Sequence, residues 1–309
     1  MAGNSTRAIV AAFFANAGIA VAKFFGFLIT GSSSMLAESV HSVADSGNQG
    51  LLLLGNRLAK RAPSAAHPFG YGRERYFWSF VVALVLFSLG GAFATFEGIE
   101  KIRHPHELES AAVAIGILLL GVVLEGWSLR TAVHEATPLK GSSGWWQFIR
   151  HSRNPELPVV LLEDFGALIG LFLAMAGVGL SQLTGDPVWD GVGTLCIGLL
   201  LGAIAVVLAI EMKSLLIGEG AVPADRAEIV AAIEATPAVR SLIHMRTQYI
   251  GPDDLLVAAK VEFDTDLDTA ALAAAVDAVE VAVRQRVPAA TRIYLEPDLR
   301  RDPSTTDPA

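Results

Sequence analysis

Glu38, His41, Asp45 and Asn48 fall inside one otherwise apolar stretch, SMLAESVHSVADSGNQGLLLL. Glu163 and Asp164 fall inside another, LPVVLLEDFGALIGLFLAMAGVGL. A charge in hydrocarbon costs roughly 2.5–3.5 kcal/mol on insertion scales, so it faces a cavity or an ion pathway. An α-helix turns about 100° per residue, which puts His41 and Asp45 on one face. Glu38 and Asn48 lie within about 60° of the same line, making one polar stripe. Imidazole and carboxylate on neighbouring helices suit zinc, manganese, iron, cobalt or nickel, and tetrahedral N/O coordination suits zinc best. Hydrogen bonding between packed helices would explain Asn48 or Ser42 alone. A His–Asp pair at i, i+4, facing carboxylates on a second helix, favours a metal or proton site.

The elements that must position these groups are membrane spans. The chain has 309 residues, 52% hydrophobic and 17% charged, against about 45–50% and about 25% for a soluble domain. Six spans near the roughly 20 residues a bilayer requires can be drawn, at about 8–30, 34–57, 76–100, 111–135, 157–182 and 188–215. Short turns at Gly31-Ser32-Ser33 and Gly185-Asp186-Pro187 make the first and last pairs antiparallel hairpins. Arg57, Lys60, Arg61, Arg73, Arg75, Lys140, Arg150, Arg153 and Lys213 all fall on one side, and only Lys101 and Arg103 on the other. The excess predicts that both termini are cytoplasmic. The first apolar run is longer than a signal-peptide core and lacks a cleavage site, so it is read as a retained span. The net charge of -8 argues against nucleic-acid binding. The single Cys196 excludes an internal disulfide framework and a cysteine-rich zinc cluster.

After Gly218-Glu219-Gly220 the composition turns polar. PADRAEIVAAIEAT reads as a helix with Ile229, Val230 and Ile233 on one face. SLIHMRTQYIG and LLVAAKVEFDTD read as strands, the second with Val257, Ala259, Val261 and Phe263 alternating against Lys260 and Glu262. TAALAAAVDAVEVAVRQRV reads as a second helix and TRIYLEPD as a third strand. The fold expected is therefore a polytopic α-helical membrane protein of six transmembrane helices followed by a small cytoplasmic α+β domain, αββαβ. The expected division is 1–218 for the transmembrane domain, 219–298 for the α+β domain and 299–309 for a disordered tail. Trp145, Trp146 and Phe148 beside Arg150 read either as a short interfacial helix or as a loosely packed loop.

HSVADSGNQG, then HPFGYGRERY in the next basic loop, then six spans and an αββαβ domain together resemble the cation diffusion facilitator family over roughly residues 8–298. NPELPVVLLEDFGALIG resembles a divergent subgroup that includes a mitochondrial zinc transporter of animals. The resemblance implies a homodimer in the lipid bilayer that exchanges a cytoplasmic divalent metal for protons. It also implies a metallochaperone-like cytoplasmic domain that dimerises, and a four-ligand transport site from the second and fifth spans. His41 and Asp45 match the second-span pair and Asp164 the second member of the fifth-span pair. The first member, usually His or Asp, is Val160 here. Glu163 borders that face, at about −60° against about +40° for Asp164 when position 160 is taken as zero. The subgroup shares the Glu-Asp pair, which makes Glu163 the candidate fourth ligand. His67 and Tyr71 are expected to order the HPFGYG loop under the second and third spans. An auxiliary loop site is not expected, because Ser64 and Tyr71 stand where some members carry an acid and a His. A metal in the α+β domain is not expected either: His244 is a lone strand histidine, and Tyr294 stands where many members have a ligand His.

Glu125 in the fourth span is the candidate for a proton pathway, with Glu38 and Asn48 as possible supports of the site. Asn16 reads as an interhelical hydrogen bond, Lys23 as a side chain that needs a partner or snorkels, and Asp190 as a cap of the sixth span. His104 and His106 read as incidental. The function expected is secondary active export of a divalent cation, with zinc first and manganese, iron or cobalt as alternatives. Protons are the counter-ion, because an imidazole with an unperturbed pKa of about 6.5 exchanges metal for proton near neutrality. The chain is not read as an enzyme: a membrane metal hydrolase lacks support, since no HExxH motif is present and the spans read as uninterrupted. A non-transporting metal sensor or assembly partner is the remaining alternative. Loop charges and the lack of a targeting segment suit a bacterial inner membrane.

Overall fold

The structure is a computed structural model describing residues 2–30, 33–105 and 111–300. Within those ranges the side chains of 2–5, 27, 29–30, 33–38, 40, 41, 44 and 111 lie outside the description. The chain falls into two compact units, residues 1–62 with 74–213, and residues 63–73 with 214–309.

The first unit is helical. Its elements are α1 (Ala2–Thr30), α2 (Ser33–Ala59), α3 (Glu74–Val85), a π-helical stretch (Leu86–Ala92), α4 (Phe93–Arg103), α5 (Ala111–Lys140), α6 (Trp145–His151), α7 (Glu156–Thr184) and α8 (Val188–Ile217). α3, the π stretch and α4 form one continuous span. Among the described residues five helical stretches are long and apolar enough to cross a membrane. α2 is long enough, but its polar stripe makes it less apolar than those five. It lies against α1: Ser39 Oγ donates to the carbonyl of Ala20 at 2.9 Å, and Lys23 Nζ donates to Ser42 Oγ at 3.2 Å. Lys23 therefore has a partner on α2. α1 buries Ala8, Ala11, Ala12, Ala15 and Ala20 and turns Phe14, Phe24 and Phe25 outward, the small-inside pattern of helices that pack by close backbone approach in lipid.

The third span is continuous, as the sequence reading has it, but it is not regular α-helix throughout. It widens to a π-helix over LFSLGGA. Gly90 and Gly91 make this tolerable, since a Cβ on Gly91 would lie 2.7 Å from Gly202 Cα of α8. Thr95 Oγ1 donates to the Gly91 carbonyl at 2.7 Å, satisfying backbone in the widened turn. The same two spans touch again where a Cβ on Gly98 would lie 2.4 Å from Leu195 N, and one on Gly198 would lie 2.4 Å from Thr95 N. At the α7–α8 turn, Gly185 closes α7 in the left-handed conformation with φ of 68°. Asp186 Oδ1 then accepts from Val188 N at 3.0 Å. Asp186, not Asp190, is the cap. Asp190 sits in the first turn of the helix and pairs with Lys101 at 3.1 Å. Residues 145–151 form the helix α6, with Trp145 and Trp146 exposed and Phe148 buried.

The second unit contains α9 (Pro223–Glu234), β1 (Val239–Gly251), β2 (Asp254–Phe263), α10 (Thr269–Arg286) and β3 (Arg292–Pro297), in the order αββαβ. β1 and β2 pair antiparallel. β2 and β3 pair parallel, which requires the crossover that α10 provides. The strict alternation of β2 buries Leu255, Val257, Ala259, Val261 and Phe263 against Ile229, Ile233, Val279 and Val283 of the two helices. Asp268 caps α10 by accepting from Ala271 N at 2.7 Å. His244 and Tyr294 are exposed on the strands. The loop 63–73, expected within the membrane domain, belongs to this unit: a Cβ on Gly72 would lie 2.7 Å from the Ile250 carbonyl. His67 and Tyr71 rings stack at 4.6 Å, and Tyr71 OH and Ser64 Oγ share a hydrogen bond at 3.1 Å. The order they supply is local to the loop.

Candidate metal centre

α7 is the most enclosed helix at the level of the polar stripe, burying an unbroken run from Glu156 to Leu161 and then Glu163 and Asp164. Glu163 is 6% exposed and Asp164 1%. Both Glu163 oxygens accept hydrogen bonds from α2: Oε1 from Asn48 Nδ2 at 3.2 Å and Oε2 from Gln49 Nε2 at 2.8 Å. Asp164 Oδ2 accepts from Ser128 Oγ of α5 at 2.6 Å. Three helices thus converge on one pair of adjacent carboxylates. Glu125, one turn before Ser128, is buried and lies within electrostatic reach of Asp164, Asp45 and Lys23. Asp45 is half-buried and acts electrostatically on Glu163.

Asp45, Glu125, Glu163 and Asp164 are four carboxylates against one ammonium, Lys23, so three negative charges are left over when all are ionised. Carboxylates gathered in that number call for a cation or for protons to neutralise them. At this cluster three buried oxygens have no hydrogen-bond donor among the described residues: Asn48 Oδ1, Gln49 Oε1 and Asp164 Oδ1. All are acceptors, which a cation or a hydrogen-bond donor would satisfy. Among the described residues no three His, Cys, Asp or Glu side chains are gathered into a metal cage. The side chains of Glu38 and His41 lie outside the described ones, and their backbones belong to α2. Of the expected ligands, Glu163 and Asp164 are adjacent on α7 and Asp45 lies within electrostatic reach of Glu163, with Asn48 hydrogen-bonded to Glu163 and Glu125 within reach of Asp45 and Asp164. Val160 is fully buried and apolar.

Sequence reasoning missed several partners. Gln49 and Ser128 are neutral residues whose role depends on what faces them. Adjacency to Asn48 and the three-residue spacing from Glu125 were the available signals. Arg75 entered only as a loop charge, yet its guanidinium is buried and doubly bonded to Glu156, with Nη2 donating to Oε2 at 2.7 Å and to Asn154 Oδ1 at 3.2 Å. The two residues are 81 apart in sequence. Asn16 is buried in α1, and His104 pairs with Glu100 at 3.6 Å. His106 lies outside the described residues.

A family model described as the cation efflux transmembrane domain matches residues 9–217. The chain belongs to the cation efflux family. Within the family it is 35% identical over 244 residues to the proton-coupled zinc antiporter SLC30A9, mitochondrial, of Xenopus laevis, covering 78% of this chain and 44% of that protein. It is 32% identical over 266 residues to metal tolerance protein C4 of Arabidopsis thaliana, covering 84% and 58%. It is 26% identical over 303 residues to magnetosome protein MamM of Magnetospirillum gryphiswaldense, covering 94% and 86%. The chain spans less than half the length of the antiporter relatives it matches. Among solved structures, a nickel form of the MamM C-terminal domain is similar to 26% of this chain and 100% of that chain, with 25% identity and a TM-score of 0.24. The multi-pass membrane reading stands. The bacterial inner membrane does not, because the SLC30A9 relatives are mitochondrial proteins. Loop charge reports orientation across a membrane, not which membrane it is.

Proposed function

We propose that the chain is a secondary active antiporter that moves a divalent cation, zinc first, against protons. Transport runs away from the side that holds the basic loops and the C-terminal domain. The carrying observation is the buried carboxylate cluster of α2, α5 and α7 with its unsatisfied acceptor oxygens. His41, Asp45 and Asp164 are the proposed ligands, with Glu163 as the fourth. Glu163 accepts an amide hydrogen bond on each oxygen from Asn48 and Gln49 and keeps a second lone pair on each, so its orientation toward a cation is tied to the position of α2. Glu125 is the proposed proton-pathway residue. Metal ligands bind deprotonated, so protons entering from the acidic side displace the cation. Residues 1–218 form the proposed transport domain and 219–298 a homodimerisation domain, and no enzymatic step is required. The relatives named as proton-coupled zinc antiporters support this reading.

The oxygen-rich character of the cluster favours a second cargo by the same mechanism. Harder oxygen donors move preference toward manganese, iron or cobalt. Uptake into proteoliposomes holding a pH gradient tests both. Gradient-driven zinc uptake by the wild type, abolished in Asp164→Ala and in Glu163→Ala, supports the reading. Uptake of manganese in preference to zinc would replace the cargo and keep the mechanism. Intact metal binding with no uptake of any metal would leave a sensor or an assembly partner.

A further inference from the structure

A groove of about 530 Å³ opens on the outside of the helical unit, between the start of α1, the end of α2 and the second half of α5. Its rim is polar, formed by Thr6, Arg7, Lys60 and Thr131, and its wall is apolar, formed by Val10, Ala11, Phe14 and Trp127. The two sets are ordered by depth. On α1, Arg7, Val10 or Ala11, and Phe14 share one face at successive turns, with Phe14 about 10 Å beyond Arg7. On α5, which runs the opposite way, Trp127 lies one turn deeper than Thr131. Phe14 is 62% exposed and Trp127 51%, so the wall faces the acyl region. The rim lies on the side of the basic loops.

We propose that this groove holds one anionic phospholipid, with its phosphodiester between Arg7 and Lys60 and an acyl chain along Val10, Phe14 and Trp127. Arg7 also pairs with Glu135 at 3.8 Å, a carboxylate outside the groove lining. Two cations against that one carboxylate leave a single positive charge, which matches a lipid with one net negative charge. A zwitterionic headgroup brings its own ammonium and gains less from that charge. Basic pockets between transmembrane helices on this side are the sites that bind anionic headgroups, and an amphipathic ring such as Trp127 sits at the headgroup boundary. The site lies on the outer surface of α1 and α5 and is independent of the cargo.

The test is native mass spectrometry of the detergent-solubilised full chain titrated with phosphatidylglycerol or phosphatidylcholine. It compares wild type, the double variant Arg7→Gln/Lys60→Gln and the charge-retaining double variant Arg7→Lys/Lys60→Arg. The expected result is one phosphatidylglycerol retained roughly tenfold more tightly than phosphatidylcholine by wild type and by the charge-retaining variant. The neutral variant loses that preference while keeping its elution volume and zinc binding. Brominated phosphatidylglycerol should also quench wild-type fluorescence more than it quenches Trp127→Phe. Equal binding of the two lipids by wild type, or a preference that survives in the neutral variant, would overturn the proposal. So would displacement by inorganic phosphate alone, because the apolar wall would then contribute nothing.

Discussion

Glu163 accepts one hydrogen bond on each oxygen, and Asp164 accepts one and leaves the other oxygen open. Adjacent carboxylates on one helix are thus prepared differently. Asp164 Oδ1 has no donor among the described residues, and Glu163 is oriented by α2 through both of its oxygens. Ser128 fixes the orientation of Asp164 from outside the ligand set, and losing such a support costs about 10–100-fold in metal affinity. Ser128→Ala should therefore weaken zinc binding by that range in an equilibrium titration, with the protein still folded; unchanged affinity would remove Ser128 from the site. Gln49→Leu strips a donor from a buried carboxylate. Stability should fall by about 1.5–3 kcal/mol, read as a lower midpoint in detergent denaturation, and Gln49→Glu should be worse because it adds a like charge.

At the scale of elements, two devices hold the helical unit together. The Arg75–Glu156 pair ties the start of α3 to the start of α7. Glu163 lies seven residues, two turns, beyond Glu156 on nearly the same face. Breaking a buried pair by removing one partner costs about 3–5 kcal/mol. Glu156→Ala should lower the thermal midpoint strongly, and Arg75→Met with Glu156→Leu should recover much of that loss; no difference between the single and double variants would argue that the pair is not a unit. The second device is backbone-to-backbone contact between the third span and α8 through Gly91, Gly98, Gly198 and Gly202. Gly198→Val has no room and should give protein that aggregates on extraction from the membrane. Gly116 has nothing within 4 Å of an added Cβ, so Gly116→Ala should be tolerated and add up to about 1 kcal/mol through its better helix propensity. Comparing yield and melting of these two variants separates packing from propensity.

For the whole molecule, the helical unit carries the cluster and the αββαβ unit carries its own core, built from β2 facing α9 and α10. That second core gives residues 214–300 the means to fold without the membrane spans. Cation binding by the helical unit should depend on pH with a definite sign. Protons compete for the same oxygens and imidazole, so zinc affinity falls as pH falls and is recovered as pH rises. The steepest change is expected around the ordinary imidazole pKa of about 6.5 if His41 coordinates. Titrations of wild type and His41→Asn across that range check this: the wild-type slope should flatten in the variant, and an unchanged slope would assign the protons to the carboxylates alone.

Hydrophobic runs, turn residues and two-residue alternation are local signals, and they carried five of the spans, the turn at Gly185 and the αββαβ order, while the turn expected at Gly31-Ser32-Ser33 includes residues outside the described ones. Intramembrane charge is rare enough to draw attention by itself, which singled out Asp164 and Glu163; the expected meeting of His41 with Asp45 falls on a side chain outside the described ones. Local pattern does not encode which residues meet across helices. The amide clamp on Glu163 joins residues 115 and 114 apart in sequence, and the Arg75–Glu156 pair spans 81. A glutamine, a serine and a loop arginine have no distinctive spacing, and only packing turned them into partners. The π stretch was equally hidden, because LFSLGGA reads as ordinary apolar helix until Gly91 meets Gly202. Composition determined that charges would be buried in the membrane; tertiary structure decided what each of them touches, because hydrogen bonds and close contacts depend on distances in space that sequence separation does not set.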